Sequence, residues 1–579
     1  MSANRLTARA LITGILLGAI LTPCNVYSGL KIGWSFNISI VALLLASGLW
    51  GLIARLRPAA ALRRDEGNIA QTAASSSANI ISGGLVAPIP ALAMLTGSNL
   101  PATQLIVWVF VVSFLGIWVA WYLRDGLILR SNLAFPTGRA TAETLIEIFD
   151  RGREAALKLR VLLASTATAG AVKWLDSGPA SLPRPGLGFT LPAVGSVSGY
   201  GGITASNLTF SLEPSLMLTG FGAIIGLRAG ISLLIGAVVS WGLIGPWGLA
   251  AGFIAAGEED PTASWFPEMI EWLLWPGVAL MVSSALTKFV LNALASRNSV
   301  ESGRVTSGDH PGDRRGRWLG LALASALVIG AQIQIFGTPW PLAVVAVPIA
   351  FVLAMVASRV VGETGIPPIG AIGKISQLST GITAPGDMTS NLMGANVAGG
   401  AAGQSADLLN DLKVGHAIGM PPHLQVFAQV FGIFTGSVVG SLVYLQLVPD
   451  PAAMLMTEQW PAPAVATWKV VAETLSTGLG SVPASALWAL ALGAAAGVFV
   501  SVLEHRRGPG FLPSMPAVGL AMVIPASLSL TMFLGSLIGA LLRHWRRSLA
   551  ERFLIAAASG LIAGESLAGV GRALVGILE

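Results

Sequence analysis

Five carboxylates lie in or beside apolar, glycine-rich stretches of the sequence: Glu143, Glu363, Asp407, Asp411 and Glu565. An ionised side chain at the centre of a bilayer costs about 3 kcal/mol or more unless it is paired, hydrated or neutralised by a proton, so each of the five is a candidate proton carrier. Glu143 has a second reading of equal weight. Arg139 precedes it by four residues, the spacing of an ion pair on a hydrated helix face. Asp407 and Asp411 have that same spacing from each other, which would stack them on one side of a helix.

The sequence around the aspartates is patterned. If NVAGGAAGQSADLLNDLK, which starts at Asn396, is helical, then Asn396, Gly400, Gly403, Gln404, Asp407 and Asp411 form one stripe. Its glycines would let a neighbouring backbone come close. NIAQTAASSSANIISGGL, from Asn68, reads as an earlier copy 328 residues upstream, with Asn68, Thr72, Ser75, Asn79 and Ser82 on the matching stripe. The copies differ in charge: Asp407, Asp411 and Lys413 stand where the first has Asn79, Gly83 and Leu85. A second match, GLRAGIS at Gly226 against GLIAGES at Gly560, is offset by 334 residues. Duplicated membrane proteins place their solute path at the seam between copies. A third match, LAFPTGRA at Leu133 against GFLPSMPA at Gly510, leaves open whether the copies are inverted or parallel. Packing by small residues is the competing account of the stripes, and a poorer one for the copy with carboxylates.

Two further stretches are built to break. GETGIPPIGAIGKIS, from Gly362, holds Glu363, Pro367, Pro368 and Lys374. Adjacent prolines remove backbone donors and clash with the preceding turn, so the segment should line a cavity rather than face lipid. SGLKIGWSFNIS, from Ser28, occupies the equivalent place in the first copy, with Lys31 near the position of the two prolines. Broken segments at corresponding places in two halves point to a transport site, whose free helix ends can bind a carboxylate or a cation. The expected substrate contacts are Tyr27, Lys31, Asn68, Gln71, Asn79, Lys374, Asn396 and Gln404.

What must position these residues is a membrane. Hydrophobic residues make up 54% of the 579 and charged residues only 11%, against about 25% charged in soluble domains. Long continuous apolar runs, such as 102–123, 231–254, 340–361 and 424–447, fit helical spans of about 20 residues. Less apolar runs at 68–97, 160–176, 212–228, 362–392, 393–415 and 511–541 should add spans or re-entrant segments. The expected fold is an all-α polytopic bundle of about 16 segments (range 12–16) in two related halves, 1–295 and 317–579. A β-barrel is excluded, because its strands alternate over about ten residues. Residues 296–316 read as a cytoplasmic linker, and 176–209 and 448–482 as external loops.

The positive balance of +6 is spread over loops and gives no nucleic-acid signature. Basic residues gather in 1–9, 55–64, 124–160, 297–317, 504–507 and 543–552 but are missing from 97–101, 251–271 and 448–468, which predicts a cytoplasmic N-terminus. The first apolar run imitates a signal peptide but lacks an Ala-x-Ala site, and it is read as the first span. There is no GxxxxGK[ST] phosphate loop and no soluble domain to house an ATPase. Cys24 is the single cysteine, and His416 and His423 straddle Pro421 and Pro422, so no metal site or cofactor is expected.

The chain resembles the oligopeptide transporter family, which includes the yellow stripe-like carriers of metal chelates. The resemblance rests on NVYSGLKIGWSFNISIVALLL at Asn25, LAFPTGRATAETL at Leu133, QSADLLNDLKVGH at Gln404, LPSMPAVGLAMVIP at Leu512 and SGLIAGESLAGV at Ser559, in that order along nearly the whole chain. It implies proton-driven secondary uptake through roughly sixteen helices in two related halves. The NPGPF hallmark of the fungal and plant peptide branch is absent, and DLLNDLKVG from Asp407 is closer to the yellow stripe-like branch and its bacterial relatives.

The resulting expectation is a proton-coupled symporter of an inner or plasma membrane, not an enzyme, importing short peptides or peptide-like metal chelates by alternating access. Its partners would be the cargo, protons and the bilayer, with homo-oligomerisation open. A passive channel would keep the stripes without a titrating carboxylate. A membrane-embedded enzyme would have Asp407 with Asp411 as its nearest carboxylate pair.

Overall fold

Backbone groups inside a bilayer have no water to bond, so the apolar runs close their hydrogen bonds internally and form helices. The computed structural model describes every residue except 1–5, 34, 36–37, 132, 151, 178–180, 193–201, 298–310, 365–368, 479–482, 509, 511 and 579. Thirteen helical segments among the described residues are long and apolar enough to cross a membrane, inside the expected range. The chain is an all-α, multi-pass membrane protein. Its one paired sheet among the described residues is a two-residue ribbon, Thr190–Leu191 against Ile203–Thr204, in the loop before Ser215.

The spans sort into an inner and an outer shell. Arg64–Thr96 is 72% buried within the protein, whereas Glu154–Asp176 and Ala484–Arg507 are 17% and 22% buried. The outer helices turn Trp488, Leu492 and Phe499 outward, the side chains lipid would cover. Met388–Ala417 is not among the thirteen, being too polar, yet nearly all of it is buried. Its thirty residues reach roughly 45 Å, enough to cross a bilayer. It is polar because protein, not lipid, surrounds it.

At the centre, Arg64–Ala78 packs beside Ala8–Ile32 and Pro422–Leu447, all three in the same direction. Met388–Ala417 runs antiparallel to them, with Asp411 level with Gln71 and Asp407 level with Ser75. Glycine makes the approach possible: a Cβ at Gly436 would overlap the Ser77 carbonyl oxygen and press on Ile80. Gly436→Val should therefore cost about 3 kcal/mol, read as a clearly lower unfolding temperature of the purified protein.

Among the described residues, helices break at glycines. Arg64–Ala78 gives way at Asn79–Gly83 to a 3-10 turn, Gly84 takes a left-handed φ of 117°, and Pro88–Thr96 resumes the path. The first stripe is thus helical only as far as Ala78. Ala8–Ile32 ends at Gly33 with φ 73°. The expected external loop 448–482 is corrected: Pro463–Thr477 is a helix whose Val465, Ala466, Trp468, Val470 and Ala472 are buried. The ion pair Lys469–Glu473 lowers its hydropathy and hides it from a search for apolar runs. The linker is shorter than 296–316, since flanking helices extend to Arg297 and from Pro311. Helices of 1–295 interleave with those of 317–579 throughout, as where Gly152–Asp176 packs on Arg547–Leu578 and Phe266–Arg297 on Ala484–Arg507.

Candidate functional site

Two aspartates, Asp411 buried and Asp407 half-buried, lie where Arg64–Ala78, Met388–Ala417 and Pro422–Leu447 cross. Asp407 accepts from Ser75 Oγ at 3.1 Å and from Gln429 Nε2 at 3.1 Å. Asp411 accepts from Gln71 Nε2 at 3.0 Å and from the same Gln429 Nε2 at 3.2 Å. One amide nitrogen therefore ties the two carboxylates together. Gln71 Nε2 also reaches Asn68 and Thr72, Gln404 Nε2 donates to Gln429 Oε1 at 2.9 Å, and Gln425 Nε2 donates to the Asp411 carbonyl at 2.5 Å. No basic side chain is among the groups acting on either aspartate. Lys413, one half-turn away, donates instead to the Leu133 carbonyl at 3.0 Å over the Phe135 ring. The two acidic groups thus lie in a protein-lined interior with no counter-charge acting on them.

A second polar cluster sits where Ile369–Thr383, Pro463–Thr477 and the start of Met388–Ala417 meet. Lys374 is buried, donates to Gln377 Oε1 at 2.9 Å, and places its ammonium 4.4 Å from the centroid of Trp468. Gln377 and Asn391 hold each other through reciprocal bonds of 3.2 and 2.7 Å. No carboxylate acts on Lys374 among the described residues.

The other expected residues are dispersed. Asn396 accepts from Trp108 Nε1 at 2.7 Å, further along the stripe. Asn79, half-buried at the break, offers its carbonyl to Ser82. Tyr27 meets Trp460 edge-on with centroids 5.3 Å apart, and Lys31 donates to the Gln459 carbonyl at 2.9 Å. Both thus lie under the segment that leads down to Pro463. Burial pushes the neighbouring Glu458 carboxyl above its usual range, against the Ser264 hydroxyl that favours its ionised form.

Glu565 accepts from Ser215 Oγ and Met217 N, each at 2.7 Å, and so caps the helix Leu216–Ile225. A carboxylate is favoured at that end of a helix dipole. Glu143 is not brought to any of these clusters: its side chain is 65% exposed and bonds Arg139 at 2.8 Å. Glu143→Gln should leave both uptake and unfolding temperature unchanged, since exposed pairs contribute about 0–1 kcal/mol. The Glu363 side chain, Pro367 and Pro368 lie outside the described residues.

Sequence reading passed over Gln425 and Gln429. Their signal was available, two amides four residues apart in an apolar run that leads into Gly432, Gly436 and Gly440. Trp468, Gln377 and Asn391 gave no such signal, because their roles arise only from the meeting of three separate helices.

A helix bundle whose lipid-facing shell encloses uncompensated carboxylates and, among the described residues, a buried lysine with no carboxylate acting on it has the construction of a membrane transport protein. The match to known sequences makes this specific. The family model described as OPT oligopeptide transporter protein matches residues 5–307 and 317–575, and the chain belongs to that family of transporters. It is 24% identical to the Saccharomyces cerevisiae protein YGL114W, over 97% of this chain and 95% of that one. It is 24% identical to the Arabidopsis thaliana metal-nicotianamine transporter YSL2, over 97% and 92%. It is 25% identical to the rice protein YSL9, named a probable metal-nicotianamine transporter, over 97% and 88%.

Proposed function

We propose that this chain is a proton-coupled symporter that imports short peptides or peptide-like metal chelates by alternating access. The observation that carries the reading is the Asp407–Asp411 pair, one carboxylate half-buried and one buried, with no basic side chain acting on either at a three-helix crossing. Protons taken up there on one side and released on the other would couple the gradient to the cargo. Lys374, under Trp468, is the proposed contact for a cargo carboxylate, and Asn391, reciprocally bonded to Gln377, ties that cluster to the same helix. Asn391 and Asp407 are 16 residues apart on Met388–Ala417, roughly 24 Å, so cargo and coupling ion occupy separate sites on one rigid element. Among the described residues no group of three or more His, Cys, Asp or Glu side chains could hold a metal ion. A metal would therefore travel inside its chelator, as the names of the plant relatives suggest for those proteins.

The two copies of the asparagine motif support an inverted duplication. Gln71 faces Asp411 while Gly83 neighbours Gly400, and a shift by the repeat offset carries one pair close to the other. Such reciprocal, antiparallel pairing is what a two-fold axis in the membrane plane produces. The distribution of basic loops supports a cytoplasmic N-terminus in an inner or plasma membrane.

Reconstitution tests the proposal. Proteoliposomes with an inward proton gradient should accumulate a short peptide or a metal-nicotianamine complex, and a protonophore should stop them. Uptake that ignores the gradient would remove the coupling; the absence of uptake for either cargo class would remove the substrate assignment.

A further inference from the structure

The hydrogen bonds around the aspartate pair say more than that it is acidic. All four carboxylate oxygens accept from neutral donors: Asp407 Oδ1 from Ser75, Asp411 Oδ1 from Gln71, and both Oδ2 atoms from Gln429. A protonated carboxyl needs one oxygen turned to an acceptor, whereas an ionised one only accepts. These four hydrogen bonds favour the ionised form. At the same time Gln71 Oε1 and Gln404 Oε1, like Gln425 Oε1 beside them, are buried with no hydrogen-bond partner. Both residues are fully buried, and their amide groups are already in the network, Gln71 bonded to Asp411 and Gln404 to Gln429. A buried, unpaired amide oxygen costs about 1–3 kcal/mol. Two carboxylates and these unpartnered oxygens form an oxygen-rich site for a hard cation.

We infer that Asp407, Asp411, Gln71 and Gln404 form a binding site for Na⁺, at which sodium and protons compete. The inference rests on the reading of this pair as the coupling site and names a second ion for it. The competition follows from the charges present. The aspartates are each other's ionisable neighbours; Arg64–Ala78 presents Gln71, Thr72 and Ser75 to them, and Pro422–Leu447 presents Gln425 and Gln429. On their own helix Lys413 is directed to Leu133, while Ser358 meets Ser405 and Gly138 meets Asn410 from the remaining side. Sodium and proton are thus bound by the same two carboxylates.

The test is thermal unfolding of the purified full-length protein at pH 8 in NaCl against equal choline chloride. An ion that binds the native state raises the unfolding temperature in a saturable way. The expected result is a sodium-specific rise that shrinks at pH 6, is lost in Asp407→Asn, and in Gln404→Leu needs about tenfold more sodium for half its effect, a loss of about 1.4 kcal/mol. Gln404→Leu retains both carboxylates, so it remains informative if Asp407→Asn does not fold. Equal unfolding temperatures in the two salts at pH 8 would overturn the inference, as would a sodium effect that survives in Asp407→Asn. Uptake driven by the proton gradient alone, measured in choline buffers, is a separate readout: its persistence without a sodium effect would refute sodium binding and leave proton coupling standing.

Discussion

Asp407→Asn should reduce gradient-driven uptake by tenfold or more, equivalent to at least about 1.4 kcal/mol of lost coupling, while leaving the protein folded. The substitution keeps the shape of the side chain and its bond from Ser75 Oγ, but removes the charge that a proton would neutralise. The Gln429 amide, which now donates to both aspartates, would have to turn or forgo one bond, a cost of about 1 kcal/mol. Removal of a buried charge offsets that cost. The informative comparison is between net uptake under a gradient and exchange of labelled for unlabelled cargo across equal concentrations. Exchange needs cargo binding and the conformational change but no net ion movement, so it should persist. If exchange and uptake fall together in a well-folded variant, Asp407 acts on cargo or on structure and not on coupling. Asp411→Asn is expected to behave in the same way, because the two carboxylates share one amide donor.

The second large effect concerns Lys374. Lys374→Met keeps a long, flexible, apolar stem against Trp468 and discards the ammonium, so folding should be unaffected or improved. Affinity for a cargo with a free carboxylate should fall by about tenfold to a hundredfold, the worth of a charge-assisted hydrogen bond of about 1.5–3 kcal/mol. The control lies in the cargo. A peptide with an amidated C-terminus should bind the unaltered protein about as weakly as the free acid binds the variant, and the variant should no longer distinguish the two. Thermal-shift titration with both peptides measures this directly. Discrimination that survives in Lys374→Met would place the carboxylate elsewhere.

Much of the site could be read from the chain. Asp407 and Asp411 stood out because a carboxylate in an apolar, glycine-rich run has no inexpensive structural explanation. The stripe of Asn68, Thr72 and Ser75 marked the side of its helix where Ser75, and Gln71 beside it, meet the aspartates, and Gln404 followed from the same periodicity. Glu143 carried its own correction in Arg139, four residues away. Glu565 shared every sequence property of Asp407 yet became a helix cap, because what distinguishes the two is Ser215 and Met217, some 350 residues away. Pro463–Thr477 was overlooked because hydropathy registers a lysine and a glutamate as loop, and cannot see that they pair along one face.

Composition and period determined that this protein crosses a membrane as helices, since both depend on the transfer of single residues and on the local geometry of one segment. The placing of Asp407 and Asp411 in an apolar, glycine-rich run was legible at the same level. Only the tertiary structure decided which polar groups are satisfied. That Gln429 bridges both aspartates, that Lys374 meets a tryptophan face and no acid, and that Gln71 and Gln404 keep oxygens without partners are properties of helices distant in sequence. Electrostatic and hydrogen-bond energies depend on separations of a few ångströms between such groups, and no one-dimensional pattern contains those distances.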